Sequence, residues 1–181
     1  EGNPPASWND TKRFICIIGI TAAMRYLHRR NLMHRDLKPA NILLDENFYP
    51  KVCDFGSSKE ASQNSKEPQG KKFGTLLYNA PEVLTCSSCT KKVDVYSYAI
   101  LVYEIVTKMK PFEDLYRTNI NGLTNYNLKN YICRQKKRPL FEISKVEVNP
   151  FLRKLIEKCW SQDPDDRPSF DNIYDQLVDD S

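Results

Sequence analysis

Glycine is scarce in this chain of 181 residues, with six in all, at positions 2, 19, 56, 70, 74 and 122. No two of them stand as G-x-G, so no glycine-rich loop able to wrap a phosphate can be drawn anywhere along the sequence. Histidine is scarcer still, with only His28 and His34. CSSC at 86–89 is a lone C-x-x-C without the second ligand pair that a zinc site needs, so a structural metal is not expected. The six cysteines follow no disulfide rhythm and read as free thiols in a reducing compartment, which makes the cytoplasm the expected location. A long apolar run is missing too. Residues 14–24, FICIIGITAAM, carry no charge and follow Lys12 and Arg13 like a leader. They fall short of the roughly 20 residues needed to span a bilayer, and Arg25, His28, Arg29 and Arg30 follow at once. A helix buried on most sides is the expected alternative. There is no internal repeat, no linker and no concentrated basic face. The net charge of +4 and the short run RQKKR at 134–138, expected to be a solvated loop, argue against a nucleic-acid grip.

What is present suffices for one sizeable core, since 40% of the residues are hydrophobic. Asn9 or Asp10 can cap a helix running to about Arg30, where Asn31 suits a left-handed stop. Two short apolar runs, 41–45 and 49–55, are joined by polar residues and predict a hairpin. Residues 57–73 are polar and aperiodic and read as a mobile surface segment. From about Lys92 to Val106 the chain is apolar on nearly every side, which predicts a central buried helix. NPFLRKLIEKCW at 149–160 opens with a capping Asn and a Pro at the first helical position. Its Phe151, Leu152, Leu155, Ile156 and Cys159 share one face. A last helix after RPSF turns Phe170, Ile173 and Leu177 inward.

Between the first helix and the hairpin lies HRDLKPAN, 34–41, with a carboxylate, an ammonium and an amide within six positions. Phosphoryl transfer needs such groups. A nucleophile must be oriented and the charge of a triphosphate neutralised, with little covalent work for the protein itself. Asp36 can accept a hydroxyl proton and Lys38 can reach the transferring group. Asn41 and Asp54 offer oxygen donors of the kind a Mg²⁺ ion prefers. Gly56 lets the backbone turn after Phe55.

H-R-D-L-K-P-A-N, D-F-G at 54–56 and A-P-E at 80–82, in that order, resemble the signature of the eukaryotic protein kinases. G-T-x-x-Y at 74–78, D-V-Y-S-Y at 94–98 and C-W-S-Q-D-P-D-D-R-P-S-F at 159–170 extend the likeness over essentially the whole chain. The resemblance implies a mainly α fold: residues 1–181 as the C-terminal lobe of a kinase catalytic domain, helical with short β-hairpins about the catalytic loop. It implies Asp36 as catalytic base and Lys38 as its partner at the γ-phosphate. Asn41 and Asp54 would be the Mg²⁺ ligands, and Leu43 would lie beneath the adenine of ATP. Glu82 would pair with Arg167, and Asp94 would hold the catalytic loop. Lys38 and Thr75 resemble the serine/threonine pattern, and the C-W-x-x-D-P-x-x-R-P-S-F ending resembles the tyrosine-kinase-like group. Implied partners are ATP, a protein substrate with a Ser or Thr hydroxyl, and an upstream kinase acting on the activation loop. Ser57, Ser58, Ser62 and Ser65 are candidate sites there, with Arg35 receiving the phosphate.

Departures from the family pattern bear on packing: Tyr96 where Trp is common, Ala99 where Gly is common, and Asn79 before Ala80. Cys53, beside D-F-G, is expected to be a buried, inert thiol. With neither G-x-G nor a V-A-I-K strand, the N-terminal β-lobe is expected to be absent from these residues, leaving apolar surface exposed where it would dock. The lobe would then be weakly active or inactive alone, or would serve as a non-catalytic binding module.

Overall fold

The computed structural model describes residues 9–61, 75–85, 89–118 and 124–179. It is mainly helical, as the sequence predicts. Helix α1 spans Asp10–Arg29, with the Asn9 side chain accepting the Lys12 N–H at its start. Asn31 follows in the left-handed region at φ 60° and ends it. One side of α1, including Cys16, Ile17, Ile20 and Met24, is buried, whereas Ile15 and Tyr26 face solvent. The uncharged stretch 14–24 therefore lies against the core, with Ile15 its one exposed residue, as expected of a helix buried on most sides.

Two small antiparallel sheets follow. Strand β1 (Leu32–Met33) pairs with β4 (Lys59–Glu60). Strand β2 (Ile42–Leu44) pairs with β3 (Pro50–Val52), Ile42 opposite Val52 and Leu44 opposite Pro50. The second pair is the expected hairpin, and its turn is tied by Asp45 Oδ1, which accepts the N–H groups of Asn47 and Tyr49. The first pair corrects part of the sequence reading. Residues 59 and 60 are strand, because backbone pairing to Leu32 and Met33 needs no side-chain periodicity. Most of 57–73, with Ser62 and Ser65, lies outside the described residues, as do Gly74 and Cys86–Ser88 of the CSSC run. Where the hairpin meets α1, Gly19 is required: a Cβ there would stand 2.5 Å from Pro50 Cγ.

Helix α2 (Pro81–Leu84) leads to the central α3 (Lys92–Thr107). Every residue from Val93 to Tyr103 is buried, so α3 has no solvent face over most of its length. Short helices α4 (Glu113–Thr118) and α5 (Asn125–Lys129) follow, the latter running into a π-helical turn at Asn130–Arg134. Helix α6 (Pro150–Cys159) begins as predicted, with Asn149 Oδ1 accepting from Phe151 N at 2.8 Å and Leu152 N at 3.4 Å. Helix α7 (Phe170–Asp179) buries Phe170, Ile173 and Leu177. α1 packs on α7, and α3 packs on α6. Phe170 sets its ring edge against both His28 and Tyr98, with centroids 4.8 and 5.3 Å apart, which locks α7 over α1 and α3.

Only the first four residues of RQKKR are solvated. Arg138 is folded inward, its guanidinium donating to Trp160 O at 2.8 Å and to Gln162 Oε1 at 2.9 Å. A long side chain can satisfy a buried fork in this way, which a charge count cannot reveal. The departures at Tyr96 and Ala99 are both fully buried within α3, so close packing survives them.

Candidate active site

The 34–41 loop has few apolar anchors of its own and is held by a carboxylate from beneath. Asp94, in the first turn of α3, is fully buried. Its Oδ2 accepts the His34 N–H and its Oδ1 accepts the Arg35 N–H, both at 2.8 Å. His28 on α1 donates from Nε2 to the same Oδ2 at 2.8 Å. Three donors from two elements thus converge on one buried carboxylate and satisfy it. Arg35 takes φ 69°, an unusual conformation for a residue with a side chain, and the paired N–H groups hold it there.

His34, fully buried, joins the loop to the D-F-G segment. Its Nε2 donates to Cys53 O at 3.0 Å and its Nδ1 accepts the Asp36 N–H at 3.3 Å, which fixes the tautomer. Its ring stands edge-on to Phe55 with centroids 5.3 Å apart. The Cys53 N–H in turn donates to Asn41 O at 2.9 Å. Residues 53 and 55 are therefore both tied to the loop, and Asp54 is carried between them. Asp54 has φ 63° and ψ 74°, and its Oδ1 accepts the Gly56 N–H at 3.3 Å. Cys53 is half-buried, more open than the sequence suggested. It sits at a strand end whose backbone is engaged while the side chain flanks solvent.

Three of the expected side chains meet directly. Lys38 Nζ donates to Asp36 Oδ2 at 2.7 Å. Asn41 Nδ2 donates to Asp36 O at 2.7 Å and to Asp36 Oδ2 at 3.1 Å. The Asp36 side chain is 11% exposed and that of Lys38 is 22% exposed, so both open on solvent without being surrounded by it. Asn41 spends its amide nitrogen on Asp36, which leaves the amide oxygen as its remaining donor to any cation. Asp54 is exposed, and its carboxylate is the second oxygen donor that the sequence offers. A set of one amide and carboxylate oxygens suits a hard ion that keeps some of its water, so these residues fit Mg²⁺. Leu43 lies on β2 and is 57% exposed, and Leu44, Tyr49 and Phe55 are exposed too. The hairpin thus exposes the apolar side chains of Leu43, Leu44 and Tyr49.

The Glu82–Arg167 pair is present and bidentate, at 2.6 and 2.9 Å. Arg167 also donates to Ser161 O and Lys92 O, so the fully buried guanidinium is satisfied on all sides. The roles of His28 and His34 were not visible in the sequence. Their spacing gave no ligand pattern, and only the half-buried position of His28 on the helical repeat of α1 could have pointed to a partner.

The model of the protein kinase domain matches residues 7–178 of the chain, which therefore belongs to the protein kinase family. The Protein kinase and PP2C-like domain-containing protein of Oryza sativa subsp. japonica is 36% identical over 194 residues, covering 94% of this chain and 29% of that protein. Dual specificity protein kinase shkB of Dictyostelium discoideum is 38% identical over 172 residues, 92% of this chain and 24% of the relative. Serine/threonine/tyrosine-protein kinase HT1 of Arabidopsis thaliana is 36% identical over 167 residues, 89% of this chain and 40% of the relative. The chain thus spans well under half the length of each of these relatives.

Proposed function

We propose that residues 1–181 form the C-terminal lobe of a protein serine/threonine kinase catalytic domain, which transfers the γ-phosphate of ATP to protein hydroxyls. One observation carries this reading: the Asp36 carboxylate receives Lys38 Nζ at 2.7 Å and Asn41 Nδ2 at 3.1 Å while remaining open to solvent. Asp36 acts as the base that accepts the proton of the acceptor hydroxyl. Asn41 holds that carboxylate in place, so the hydroxyl is met in one orientation. Lys38 lies at the reacting side of Asp36, where its ammonium can follow the charge that builds on the transferring phosphoryl oxygens. Asn41 and Asp54 would hold Mg²⁺, which when bound screens the phosphate charge. Leu43 offers an apolar face for the adenine.

The serine/threonine assignment rests on Lys38 and Thr75. The relatives named dual specificity and serine/threonine/tyrosine make tyrosine the alternative acceptor. An upstream kinase acting on the activation loop, with Ser57, Ser58, Ser62 and Ser65 as candidate sites, and a cytoplasmic location, belong to the same proposal. Among the described residues no helix is long and apolar enough to cross a membrane.

The test adds Mg²⁺, ATP and a degenerate peptide library to the chain. The same assay is run on any longer product of the gene that supplies an upstream G-x-G-x-x-G and V-A-I-K. Phosphate on Ser and Thr, reduced to background by Asp36→Asn with the fold intact by circular dichroism, is the expected result. Phosphotransfer unaffected by Asp36→Asn overturns the assignment of the base. No thermal shift with nucleotide and no transfer in either form leaves the second reading, a non-catalytic binding module. The absence of G-x-G from these residues is what favours it.

A further inference from the structure

The starts of α1 and α6 and the end of α3 meet around a cleft of about 370 Å³. That volume lies in the range of about 300–1,000 Å³ usual for small-molecule sites. None of its residues belongs to the 34–56 layer that holds Asp36. Its walls are apolar: Phe14 and Ile17 of α1, Val106 of α3, Leu152 of α6, and Val148 just ahead of α6. Ile17, Val106 and Leu152 are buried members of the core, so packing fixes that part of the lining.

One cation stands among these side chains. Arg13 lines the cleft, and its side chain is only 10% exposed. It pairs with Asp10, one turn earlier on α1, whose side chain is 91% exposed. Among the described residues the guanidinium makes no other ion pair or hydrogen bond. A bond to so exposed a carboxylate is weak and competes with water. A guanidinium carries five donors in a planar fork, so most of the capacity of Arg13 is unspent in apolar surroundings. The cleft also borders the first turn of α1, at Asp10 and Thr11, and the cap of α6, at Asn149. Both helix starts favour negative charge placed there. The other acid of the lining, Glu147, is exposed, so water screens its charge.

We infer that this cleft binds a small apolar monocarboxylic acid, its carboxylate in the fork of Arg13 and its hydrocarbon body between α1, α3 and α6. Asp10 reaches the guanidinium from the solvent side. A carboxylate inside the cleft forms paired, charge-assisted bonds away from bulk water. The body of the ligand gains by leaving water. Head and tail therefore have separate signatures. An alcohol of the same chain keeps the tail and loses the charge. An amine meets the guanidinium as a like charge, and the acids that would offset it stand in solvent. The site is independent of the kinase reading, since it uses none of Asp36, Lys38, Asn41 or Asp54.

The test titrates octanoate, octanol and octylamine into the full chain near neutral pH and follows the Ile, Leu and Val methyl resonances by NMR. The expected order of affinity is octanoate, octanol, octylamine, with shifts at Ile17, Val106, Val148 and Leu152. Arg13→Gln, its fold checked by circular dichroism, weakens octanoate by about tenfold and changes octanol by less than about twofold. Asp10→Asn removes the competitor and tightens octanoate by about twofold. Should Arg13→Gln fail to fold, Val148→Trp carries the test: residue 148 is half-buried, and the larger ring fills the cleft and abolishes binding of all three. Octanol or octylamine binding as tightly as octanoate overturns the proposal. So do methyl shifts confined to exposed residues such as Leu43 and Leu44, or no binding of any of the three. Octanoate binding that survives Arg13→Gln or Val148→Trp overturns it as well.

Discussion

The helical body and the loop layer above it are held by different physics. In the body, α3 is covered by α1, α6 and α7, and its stability comes from apolar area removed from water, which is non-directional and spread over many side chains. In the layer from His34 to Gly56, apolar side chains such as Leu43 and Phe55 are largely exposed. That layer is positioned by a few directional bonds to Asp94, His34 and Asn41. The body can lose a methyl group by degrees. The layer depends on single atoms, and that is also what a site aligned to fractions of an ångström requires.

The sharpest way to break this division is the buried ion pair inside the body. Arg167 is fully buried and joins α2, α3 and the 161–167 turn through its bonds to Glu82, Lys92 O and Ser161 O. Arg167→Ala strands the Glu82 carboxylate and the carbonyls of Lys92 and Ser161, and should cost about 3–5 kcal/mol. Urea denaturation followed by circular dichroism checks it. A loss under about 1 kcal/mol would show that the body is held by apolar packing alone.

Asp94→Asn tests the layer. The three groups that face this side chain, His34 N–H, Arg35 N–H and His28 Nε2–H, are all donors. An amide has one oxygen to accept with, and its nitrogen can only donate, so at least one buried donor loses its partner. The expected stability loss is about 1–3 kcal/mol. The informative readout is local: amide exchange at His34 and Arg35 should accelerate well beyond that of α3 residues such as Ile100. Uniform acceleration across both regions would erase the distinction between body and layer.

The same division explains what could be read from the sequence. α1, α3, α6 and α7 were legible because apolar spacing, the capping Asn9 and Asn149 and the stop at Asn31 each act within a few residues. The meeting of Asp36, Lys38 and Asn41 was legible for the same reason, since all three lie in one short loop. What was not legible depends on contacts between distant residues. The tie from His28 on α1 to Asp94 on α3 is one case, and the inward turn of Arg138 toward Trp160 and Gln162 is another. So is the pairing of β4 with β1, where backbone groups do the work and side-chain pattern carries no signal.

The smallest effect concerns Tyr96, where the family commonly has Trp. Its ring is fully buried between the guanidinium groups of Arg138 and Arg167, 5.1 and 5.2 Å from the centroid. Its hydroxyl has no hydrogen-bond partner among the described residues. Burial, opposed by the two arginines, pushes the phenol up to about 12, so it stays a neutral donor with nothing to donate to. Tyr96→Phe keeps the ring and both cation–π contacts and removes the stranded oxygen. Stability should therefore be unchanged or rise by up to about 1 kcal/mol, read from the urea midpoint at constant slope. A loss above about 1 kcal/mol would mean that the hydroxyl is bonded after all, through a bridging water at the junction of Arg138 and Arg167. Polar satisfaction would then govern the body as it does the layer.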